Sequence, residues 1–403
     1  MTDSFTPNSH DEIRDAVRWA MANDAPMEIR GGGTKRGWGK PLQTNHTLDL
    51  SALNKILLYE PEELILQAEA GTPLAEIERR LTAFDQMLAF EPPDIGPLMG
   101  LAAGQQTLGG IIAANMAGPR RIKAGAARDH FLGFVAVSGR GETFKSGGRV
   151  MKNVTGYDLC KLMAGSFGTL AVLSEITVKV LPVGQKTRTV LVLGLDDAQA
   201  ADAMVAALNS SHEVSGAAYL PRAIADRSSV RRVADVGKTV TALRIEGPEP
   251  SVEHRSAALR VLLGEWGKTK ELHGNNSSDL WAEVRDVSYF VDDQANAIWR
   301  LSAPPHSVPT FLTELVKDVG AEYFSDWGGG LVWLSASPGE RAARKIRAAA
   351  DSCGGHATLI RGPDDLRAAV PVFHPQPGPV AALSERLRKQ FDPKDVLNPG
   401  RMS

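Results

Sequence analysis

Short runs of hydrophobic residues with two different spacings alternate along the first half of the chain. Apolar residues recur at helical spacing over residues 11–21, with Ser9 as a cap, and again over residues 73–81. Alternating apolar runs predict strands at residues 26–30, 46–50, 55–60, 64–68, 131–138 and 169–181. Turn residues such as Pro61 and Pro182 separate these units. The last of these strands, at residues 169–181, would close this region before the Pro182-Val183-Gly184 turn.

From residue 187 onward, strand patterns alternate with longer helical patterns. Strands are predicted at residues 190–193, 216–220, 239–245, 297–301, 331–334 and 357–360. Helices are predicted at residues 197–208, 250–263, 278–287, 308–319, 339–351 and 379–390. Two successive β-α-β passes of similar length indicate an antiparallel sheet covered by helices, which is an α+β arrangement.

The composition excludes several classes of protein. The chain has 403 residues and a formal charge of −2, so it is large enough for two or three domains and carries no overall positive charge for nucleic acid or an anionic membrane. Its two cysteines, Cys160 and Cys353, lie far apart in the sequence. They exclude a disulfide framework and any CxxC metal or iron–sulfur site built by this chain alone.

No targeting or membrane-spanning segment is expected. The first ten residues lack both a basic start and an apolar core, so they do not form a signal peptide. No apolar run reaches the roughly 18 residues that cross a bilayer. We expect a cytoplasmic protein, with peripheral contact to the inner membrane through a complex as an open alternative.

Glycine is concentrated where backbone could approach an anion. Of 39 glycines, 15 lie between Gly96 and Gly168, and three more follow the strand that ends at Arg30. The dinucleotide pattern G-x-G-x-x-G fails because position 36 is Arg36, and the ATPase loop fails at Thr34 and Pro41. A Rossmann nicotinamide enzyme and an ATP-binding regulatory module are thus disfavoured. The triple glycine fits either a phosphate cradle or a tight turn.

Two further segments favour the phosphate interpretation. Residues 107–118 predict a helix that starts with glycines and a hydroxyl, where unpaired N–H groups can hold an anion. A local basic run follows, and a glycine and hydroxyl turn occurs at residues 165–169. A diphosphate linker would satisfy all three elements, although the basic run and the turn each also fit an ordinary loop.

In this order and spacing, the three segments resemble the FAD-binding domain of the vanillyl-alcohol oxidase/p-cresol methylhydroxylase (PCMH) flavoprotein superfamily. That family carries an R-G-G-G loop, a T-x-G-G-x-I-A-x-N-x-x-G segment and a G-S-x-G-T-L turn, which residues 30–35, 107–118 and 165–170 match in turn. The ending at residues 391–400 is similar to the C-terminal signature of the D-lactate and glycolate dehydrogenase branch. Residues 147–159 look most like the second FAD-binding subunit of bacterial glycolate oxidases.

The resemblance implies an α+β fold with three parts. Residues 1–183 would form a two-lobed PCMH-type FAD-binding domain, and residues 184–375 a ferredoxin-like α+β cap domain. Residues 376–403 would return to the FAD-binding domain.

Carried over residue by residue, the resemblance implies non-covalent FAD with its pyrophosphate held between two loops. One loop supplies Arg30, Gly31, Gly32, Gly33, Thr34 and Lys35. The other supplies Thr107, Gly109, Gly110, Asn115 and Gly118, followed by Arg121 of the basic run. The ribose and adenine end would be lined by Ser166, Gly168, Thr169, Leu170 and the backbone near Ile176. Some relatives attach FAD through a histidine just after the glycine loop, a place that Thr34 and Lys35 occupy here.

The chemistry implied by the resemblance is hydride transfer from C2 of a 2-hydroxy acid to flavin N5. Catalytic relatives often carry an H-x-G-D-G-N-x-H metal motif in the cap, but the best candidate here, residues 326–333, contains no histidine, so no metal site is expected. His356 and His374 are candidate bases, and Arg300 and Arg361 are candidate carboxylate anchors. Each of the four also fits a surface or core role.

Two functional hypotheses remain open. In the first, the chain is an FAD-dependent oxidoreductase subunit that oxidises glycolate or a related 2-hydroxy acid. In the second, it is a non-catalytic FAD-binding subunit that relays electrons or supports assembly while a partner flavoprotein performs the chemistry. The resemblance implies two partners, a second FAD-binding catalytic subunit and an iron–sulfur subunit, and the small number of cysteines fits a relay supplied by another chain.

Overall fold

The computed structural model describes residues 3–148 and 156–402. Most of the motif at residues 147–159 therefore lies outside the described residues. We call residues 3–182, which contain the first three sheets, the N-terminal lobe, and residues 186–361, which contain the eight-stranded sheet, the cap; a C-terminal segment follows. No helix in the described part is long and apolar enough to cross a membrane.

The N-terminal lobe contains a three-stranded parallel sheet and a five-stranded antiparallel sheet. Its strands are β1 (Asp3–Phe5), β2 (Met27–Arg30), β3 (His46–Asp49), β4 (Ile56–Glu60), β5 (Ile65–Glu69), β6 (Gln86–Met87), β7 (Phe131–Ser138), β8 (Thr143–Gly147), β9 (Ala171–Lys179) and β10 (Leu181–Pro182). The strand orders are β1-β3-β2 and β4-β5-β9-β7-β8, while β6 pairs with β10. The long central strand β9 is buried along most of its length because it pairs on both sides.

Short helices connect these strands. They are α1 (His10–Ala22), α2 (Leu74–Thr82), α3 (Leu108–Ala114), α4 (Arg121–Ala124), α5 (Ala127–His130) and α6 (Leu159–Met163). The hydroxyl of Ser9 caps α1 by accepting the Glu12 N–H, and the apolar stripe of this helix, including Ile13 and Val17, is buried. The amphipathic pattern at residues 11–21 thus predicted both the helix and its buried face.

The cap contains one eight-stranded antiparallel sheet. Its strands are β11 (Lys186–Leu193), β12 (Gly216–Leu220), β13 (Val240–Gly247), β14 (Lys268–His273), β15 (Ala297–Ser302), β16 (Glu322–Asp326), β17 (Leu331–Ala336) and β18 (His356–Arg361). The order is β14-β11-β13-β12-β16-β17-β15-β18. Each half has the strand order of a ferredoxin-like β-α-β-β-α-β unit, and the two halves join where β12 meets β16. The α+β class is confirmed, with the ferredoxin-like unit present twice.

Longer helices cover the cap sheet and lead to the C-terminus. They are α7 (Asp197–Leu208), α8 (Arg222–Ala225), α9 (Arg231–Ala234), α10 (Glu249–Leu263), α11 (Gly274–Asp286), α12 (Val308–Val319), α13 (Glu340–Asp351), α14 (Asp364–Ala369) and α15 (Gly378–Phe391). Strands β14 and β16 were missed by the hydrophobic pattern. The edge strand β14 is largely exposed and rich in charge, which protects an edge but removes the alternation that identifies strands.

A buried ion-pair network joins the N-terminal lobe to the cap. Arg244 on β13, only 2% exposed, donates two hydrogen bonds to Glu91 at 2.8 and 2.9 Å. Arg120 of the N-terminal lobe makes two more to Glu246 of β13. Burial alone would raise the pKa of Glu246, but Arg244 and Arg120 outweigh it and lower that pKa to about 2. The network therefore stays charged at neutral pH and holds the two parts in one orientation.

The C-terminal segment returns to the N-terminal lobe. The Met27 N–H donates to the Val396 carbonyl at 2.8 Å, which places the segment beside β2. The Asn398 side chain then accepts the Ile29 N–H and donates to the Phe167 carbonyl, both at 2.8 Å. One amide therefore ties β2, the 166–169 turn and the chain end together.

Candidate functional site

The glycine loop after β2 packs directly against the segment that precedes α3. A Cβ on Gly31 would lie 2.4 Å from the Thr107 Oγ1, and one on Gly32 would lie 1.6 Å from the Gln105 carbonyl oxygen. Gly33 has a φ of +72°, in the left-handed region that favours glycine. Side chains are thus excluded at two of these positions and strained at the third, so the loop presents bare backbone.

Three backbone N–H groups of this loop have no hydrogen-bond acceptor among the described residues. Within residues 3–148 and 156–402, the amide groups of Gly32, Gly33 and Thr34 donate to no protein acceptor. The Lys35 ammonium lies beside them, close to Gly110 of α3, and its hydrogen bond is to the Thr34 hydroxyl at 3.3 Å. Burial lowers the pKa of Lys35 to about 8. This combination of free amides and a cation suits an anion such as a pyrophosphate.

The start of α3 differs from the expectation of free N–H groups. The Leu108 and Gly109 amides donate to the carbonyls of Thr72 and Ala70, at 3.0 and 2.8 Å. The Thr107 hydroxyl accepts the Gly110 N–H at 3.4 Å, as an N-cap does. The expectation was wrong at these positions because the neighbouring strand end already uses the donors. What α3 offers to a ligand is its Thr107 hydroxyl and a surface free of side chains at Gly109 and Gly110.

The third wall of the site combines the 166–169 turn with the chain end. Phe167 has a φ of +53°, and Gly168 could not carry a Cβ without contacting the Asn398 amide at 2.9 Å. Arg401 donates to the carbonyls of Arg36 and Trp38, at 2.9 and 3.1 Å. These contacts hold the last residues of the chain at the end of the glycine loop.

We call the resulting hollow the glycine-loop cleft. It consists of two adjoining spaces of about 510 and 490 Å³. Both are lined by Arg30, Gly31, Thr107, Gly110, Phe167 and Asn398. The first extends along Gly32, Gly33, Thr34 and Lys35, and the second toward Gly109, Ser166 and Gly168. The three sequence segments are therefore brought together at one place.

Other candidate residues lie beside the glycine-loop cleft or away from it. The Arg30 guanidinium is paired with Asp49 at 2.7 Å, while Thr169 and Leu170 are buried behind the turn. Ile176 is buried in the middle of β9, and the residues of that strand that line the cleft are Ala171 and Leu173.

The last two positions of the α3 segment shape the backbone that follows the helix. Asn115 ends α3 in a left-handed conformation and accepts the Arg128 N–H at 3.1 Å. A Cβ on Gly118 would lie 2.3 Å from the Glu91 carbonyl oxygen, so a bare backbone is needed there as well.

A second group of residues lies where the cap meets the N-terminal lobe. The Trp327 indole N–H donates to the Gly118 carbonyl at 3.0 Å, across the boundary. The Arg121 guanidinium lies 4.1 Å from the centre of the same indole, and Arg300 lies 5.1 Å from it. Arg121, a cofactor candidate from sequence, is therefore placed against the cap. We call Arg121, Arg300, Trp327 and the nearby His356 the arginine–tryptophan cluster.

The candidate histidines and arginines of the cap separate into two kinds. His374 has both ring nitrogens engaged, with Asp351 at 2.9 Å and the Ala357 N–H at 3.2 Å. The Arg361 guanidinium donates to backbone carbonyls including Leu98 at 2.7 Å, so its donors are already used. Burial, together with Arg300, lowers the pKa of His356, which keeps this imidazole neutral at neutral pH.

The segment at residues 326–333 has a buried carboxyl at its start. Asp326 is 2% exposed, and its carboxylate accepts the Trp327 N–H at 2.7 Å. Burial raises its pKa to about 8, so the group is mostly protonated at neutral pH. Trp333, at the other end of the segment, is also buried. Among the described residues there is no group of three or more His, Cys, Asp or Glu side chains that could hold a metal.

Several residues of the site were not identified from sequence. Asn398, Arg401 and Phe167 line the glycine-loop cleft, and Trp327 organises the arginine–tryptophan cluster. The Asn398-Pro399-Gly400 ending carried a signal, because a turn sequence after a strand-like run marks a specific backbone geometry. Trp327 lies in the 326–333 segment that the sequence singled out, but nothing local distinguishes its side chain from that of a core tryptophan.

Comparisons with known proteins agree with this geometry. The family described as "FAD binding domain" matches residues 4–147. The chain is 34% identical to glycolate oxidase subunit GlcE of Escherichia coli (strain K12), over 97% of this chain and 96% of that protein. It is 24% identical to glycolate oxidase subunit GlcD of Bacillus subtilis (strain 168), over 99% of this chain and 88% of that protein.

Solved structures show the same fold. The structure of p-cresol methylhydroxylase with substrate bound superposes with a TM-score of 0.72 at 13% identity, covering 99% of this chain and 88% of that one. An alkyldihydroxyacetonephosphate synthase superposes with a TM-score of 0.69 at 18% identity, covering 98% of this chain and 76% of that one. At these identities the likeness concerns the fold alone.

Proposed function

Because the chain belongs to the GlcE family of FAD-linked oxidoreductase subunits, we propose that it serves in a complex that oxidises glycolate or a closely related 2-hydroxy acid to the 2-oxo acid. The observation that carries the proposal is the glycine-loop cleft, where free amides, a lysine and a hydroxyl face a channel walled by bare backbone. FAD binding itself follows from the family.

The residues of the cleft fit FAD without covalent attachment. Gly32, Gly33 and Thr34 would donate their amides to the pyrophosphate, with Lys35 as the counter-charge. The space toward Ser166 and Gly168 would take the ribose and adenine. When bound, FAD supplies the acceptor for the two electrons released as the alcohol becomes a carbonyl.

The protein's own part in the reaction is to hold the substrate and shield the site. The Trp327 indole of the cap donates to the Gly118 carbonyl, so the cap would lie over the backbone that leads from α3 and would limit access of water there. His356, neutral and next to Arg300, is the candidate to accept the substrate hydroxyl proton. His374 and Arg361 would serve the fold, because their polar atoms are already bonded.

A second role, as an electron-relay or supporting subunit, is favoured by one observation. Asp326 and Trp333 occupy the ends of the segment where catalytic relatives carry histidines, and both are buried. In either role we propose a second FAD-binding subunit and an iron–sulfur subunit as partners, since this chain has only two cysteines and both are free thiols.

The two roles are separated by anaerobic titration of the purified chain. We expect a bound flavin spectrum, and bleaching of that flavin on addition of glycolate if this chain is catalytic. Flavin that binds but does not bleach, while the reconstituted complex turns over, would assign the chemistry to the partner. A chain that binds no flavin under any of these conditions would contradict the proposal.

A pair of variants at Gly33 tests the place of the pyrophosphate. Asp and Asn both tolerate the positive φ of this residue, and the nearest side chain, Arg36, leaves 3.6 Å for a Cβ. Gly33→Asp places a negative charge against the pyrophosphate and should lower FAD affinity at least tenfold more than Gly33→Asn, measured by flavin fluorescence. Equal effects of the two variants would remove the loop from the pyrophosphate site.

A further inference from the structure

One face of the cap sheet is turned toward the N-terminal lobe. Arg300 on β15 is paired with Thr358 on β18 and Trp333 on β17, and His356 lies two residues before Thr358, so these side chains share a face. The neighbouring Trp299 points to the opposite face, where Arg347 of α13 stacks on its ring at 5.2 Å. The Arg300 face therefore meets Trp327 and Arg121 at the boundary between cap and lobe.

The two arginines of this cluster lack anionic partners. Within the described ranges 3–148 and 156–402, neither guanidinium forms a hydrogen bond or an ion pair. Each lies over the Trp327 ring in a cation–π contact. Burial, with Arg121 as a second cause, lowers the pKa of Arg300 to about 10, which still leaves it charged at neutral pH. Asp129, the acid that acts on Arg121, is itself bonded to the Ala126 N–H.

The partly buried Arg300 differs in this respect from the buried arginines of the protein. Arg244 is paired with Glu91, while Arg361 and Arg347 donate to backbone carbonyls. Two uncompensated guanidiniums beside one indole repel each other, and the partly buried Arg300 also loses hydration. An anion between them would remove this cost. Planar guanidiniums offer paired N–H donors that match the two oxygens of a carboxylate.

We propose that Arg121 and Arg300 together bind one carboxylate of a small carboxylic acid against the Trp327 ring, with the His356 imidazole beside the bound molecule. The inference rests on the proposed function and names the residues that would anchor its substrate. Because Arg121 belongs to the N-terminal lobe and Arg300 to the cap, the binding site is complete only when the two parts are joined.

The test uses the flavin-loaded protein and oxalate as the probe, with binding followed by calorimetry. Arg300→Met and Arg121→Met should each weaken oxalate binding by about tenfold to hundredfold, the loss expected for a charge-assisted hydrogen bond. Arg300→Lys keeps the charge but loses the paired donors, so its affinity for oxalate should lie between those of the wild type and Arg300→Met. Arg128→Met is the matched control, because Arg128 is exposed in the same basic run, and it should stay within about twofold.

Thermal stability gives a second readout that a purely structural arginine would move in the opposite direction. Without ligand, Arg300→Met removes an uncompensated charge and should unfold at the same or a higher temperature than the wild type, and oxalate should no longer raise its Tm. A lower Tm for Arg300→Met with flavin retained would make Arg300 a structural residue and overturn the proposal.

The outcomes distinguish this inference from the proposed function. Oxalate binding that depends on both arginines, in a chain whose flavin glycolate does not bleach, supports the site and counts against catalysis by this chain. Bleaching by glycolate with an unchanged concentration dependence in both variants overturns the site and leaves the function standing. Unchanged oxalate binding with a shifted flavin reduction potential would mean that the arginines face the flavin, and also overturns the site.

Discussion

Individual side chains are set by a few close contacts in this protein. Gly32 has no room for a Cβ because the Gln105 carbonyl oxygen would lie 1.6 Å from it. Lys35 and Arg300 are both partly buried, form no ion pair with a carboxylate in the part of the chain that the structure describes, and have pKa values that burial lowers. Burying an unpaired cation costs free energy unless an anion binds to it. Both residues are therefore candidate anion-binding sites.

The titration of Lys35 should appear in the pH dependence of FAD binding. Its pKa is about 8 in the protein, so it is charged below that pH and neutral above it, and a bound pyrophosphate favours the charged form. We expect FAD affinity to fall by about tenfold from about pH 7 to about pH 9.5.

Variants at the same position supply the controls. Lys35→Met should bind FAD more weakly with little dependence on pH, and Lys35→Arg should bind with little dependence because it stays charged. Fluorescence quenching of FAD measures the FAD affinity of the wild type and of both variants. A wild-type affinity that is flat across this range would place Lys35 away from the pyrophosphate.

At the scale of elements, the strands of the N-terminal lobe contribute a few residues to the glycine-loop cleft, such as Arg30 and Leu173, and position the loops that form most of it. Strand β2 ends at the glycine loop, and the carbonyls of Ala70 and Thr72, in the turn after β5, accept the first amides of α3. The C-terminal segment completes the site because Asn398 bridges Ile29 and the Phe167 carbonyl. The cleft is therefore an arrangement of element ends, whose relative placement depends on hydrogen bonds between distant parts of the chain.

Substitution of Asn398 should loosen this arrangement. Asn398→Ala removes two hydrogen bonds and strains a backbone with a φ of +45°, so we expect a loss of about 1–3 kcal/mol in the free energy of unfolding. Weaker FAD binding should accompany the loss. Denaturant unfolding of the apoprotein and flavin titration give the two values.

The control for Asn398 is Asn54, an exposed residue whose side chain donates to the Ser51 carbonyl. Asn54→Ala should change the free energy of unfolding by less than about 0.5 kcal/mol. If Asn398→Ala left both stability and flavin affinity at wild-type values, the C-terminal segment would not support the cleft.

At the scale of the whole molecule, the boundary between lobe and cap carries two kinds of charge. The Arg244–Glu91 and Arg120–Glu246 pairs are hydrogen-bonded across the boundary, whereas Arg121 and Arg300 have no ion pair among the described residues. The paired charges hold the cap against the N-terminal lobe. The two unpaired arginines face the place where an anionic ligand would supply the missing partner. A stable boundary and a binding site are thus built side by side.

Removal of Arg244 should uncouple the two parts. Arg244→Met leaves the buried Glu91 carboxylate without its bidentate partner, so we expect the free energy of unfolding to fall by about 3–5 kcal/mol. Calorimetry should then show separate unfolding of lobe and cap in place of one transition. Arg222→Met, which removes an exposed pair with Asp226, is the control and should leave the transition unchanged. A single wild-type transition in Arg244→Met would show that other contacts couple the parts.

Local pattern and composition determined a large share of this protein. Helical spacing in residues 11–21, the order of the three glycine segments and the alternation of strands and helices in the cap depend on neighbours in sequence, so they could be read directly. The exposed strand β14 could not be, because it buries one residue and packs through its edge. The same limit applies to the amides of Leu108 and Gly109, which are taken by carbonyls from another turn.

Only the tertiary structure decided which of the chemically suitable residues meet. Nothing in the sequence distinguishes Arg300 from Arg361 as a carboxylate anchor. In the structure, Arg300 lies beside Trp327 and Arg121, whereas Arg361 donates its hydrogen bonds to backbone carbonyls. Asn398 reaches Ile29 across 369 positions of sequence. Arg121 on α4 and Arg300 on β15 lie against the same Trp327 indole. The physical reason is that hydrogen-bond partners and burial are set by the pairing of distant strands, while local propensity acts only over a few residues.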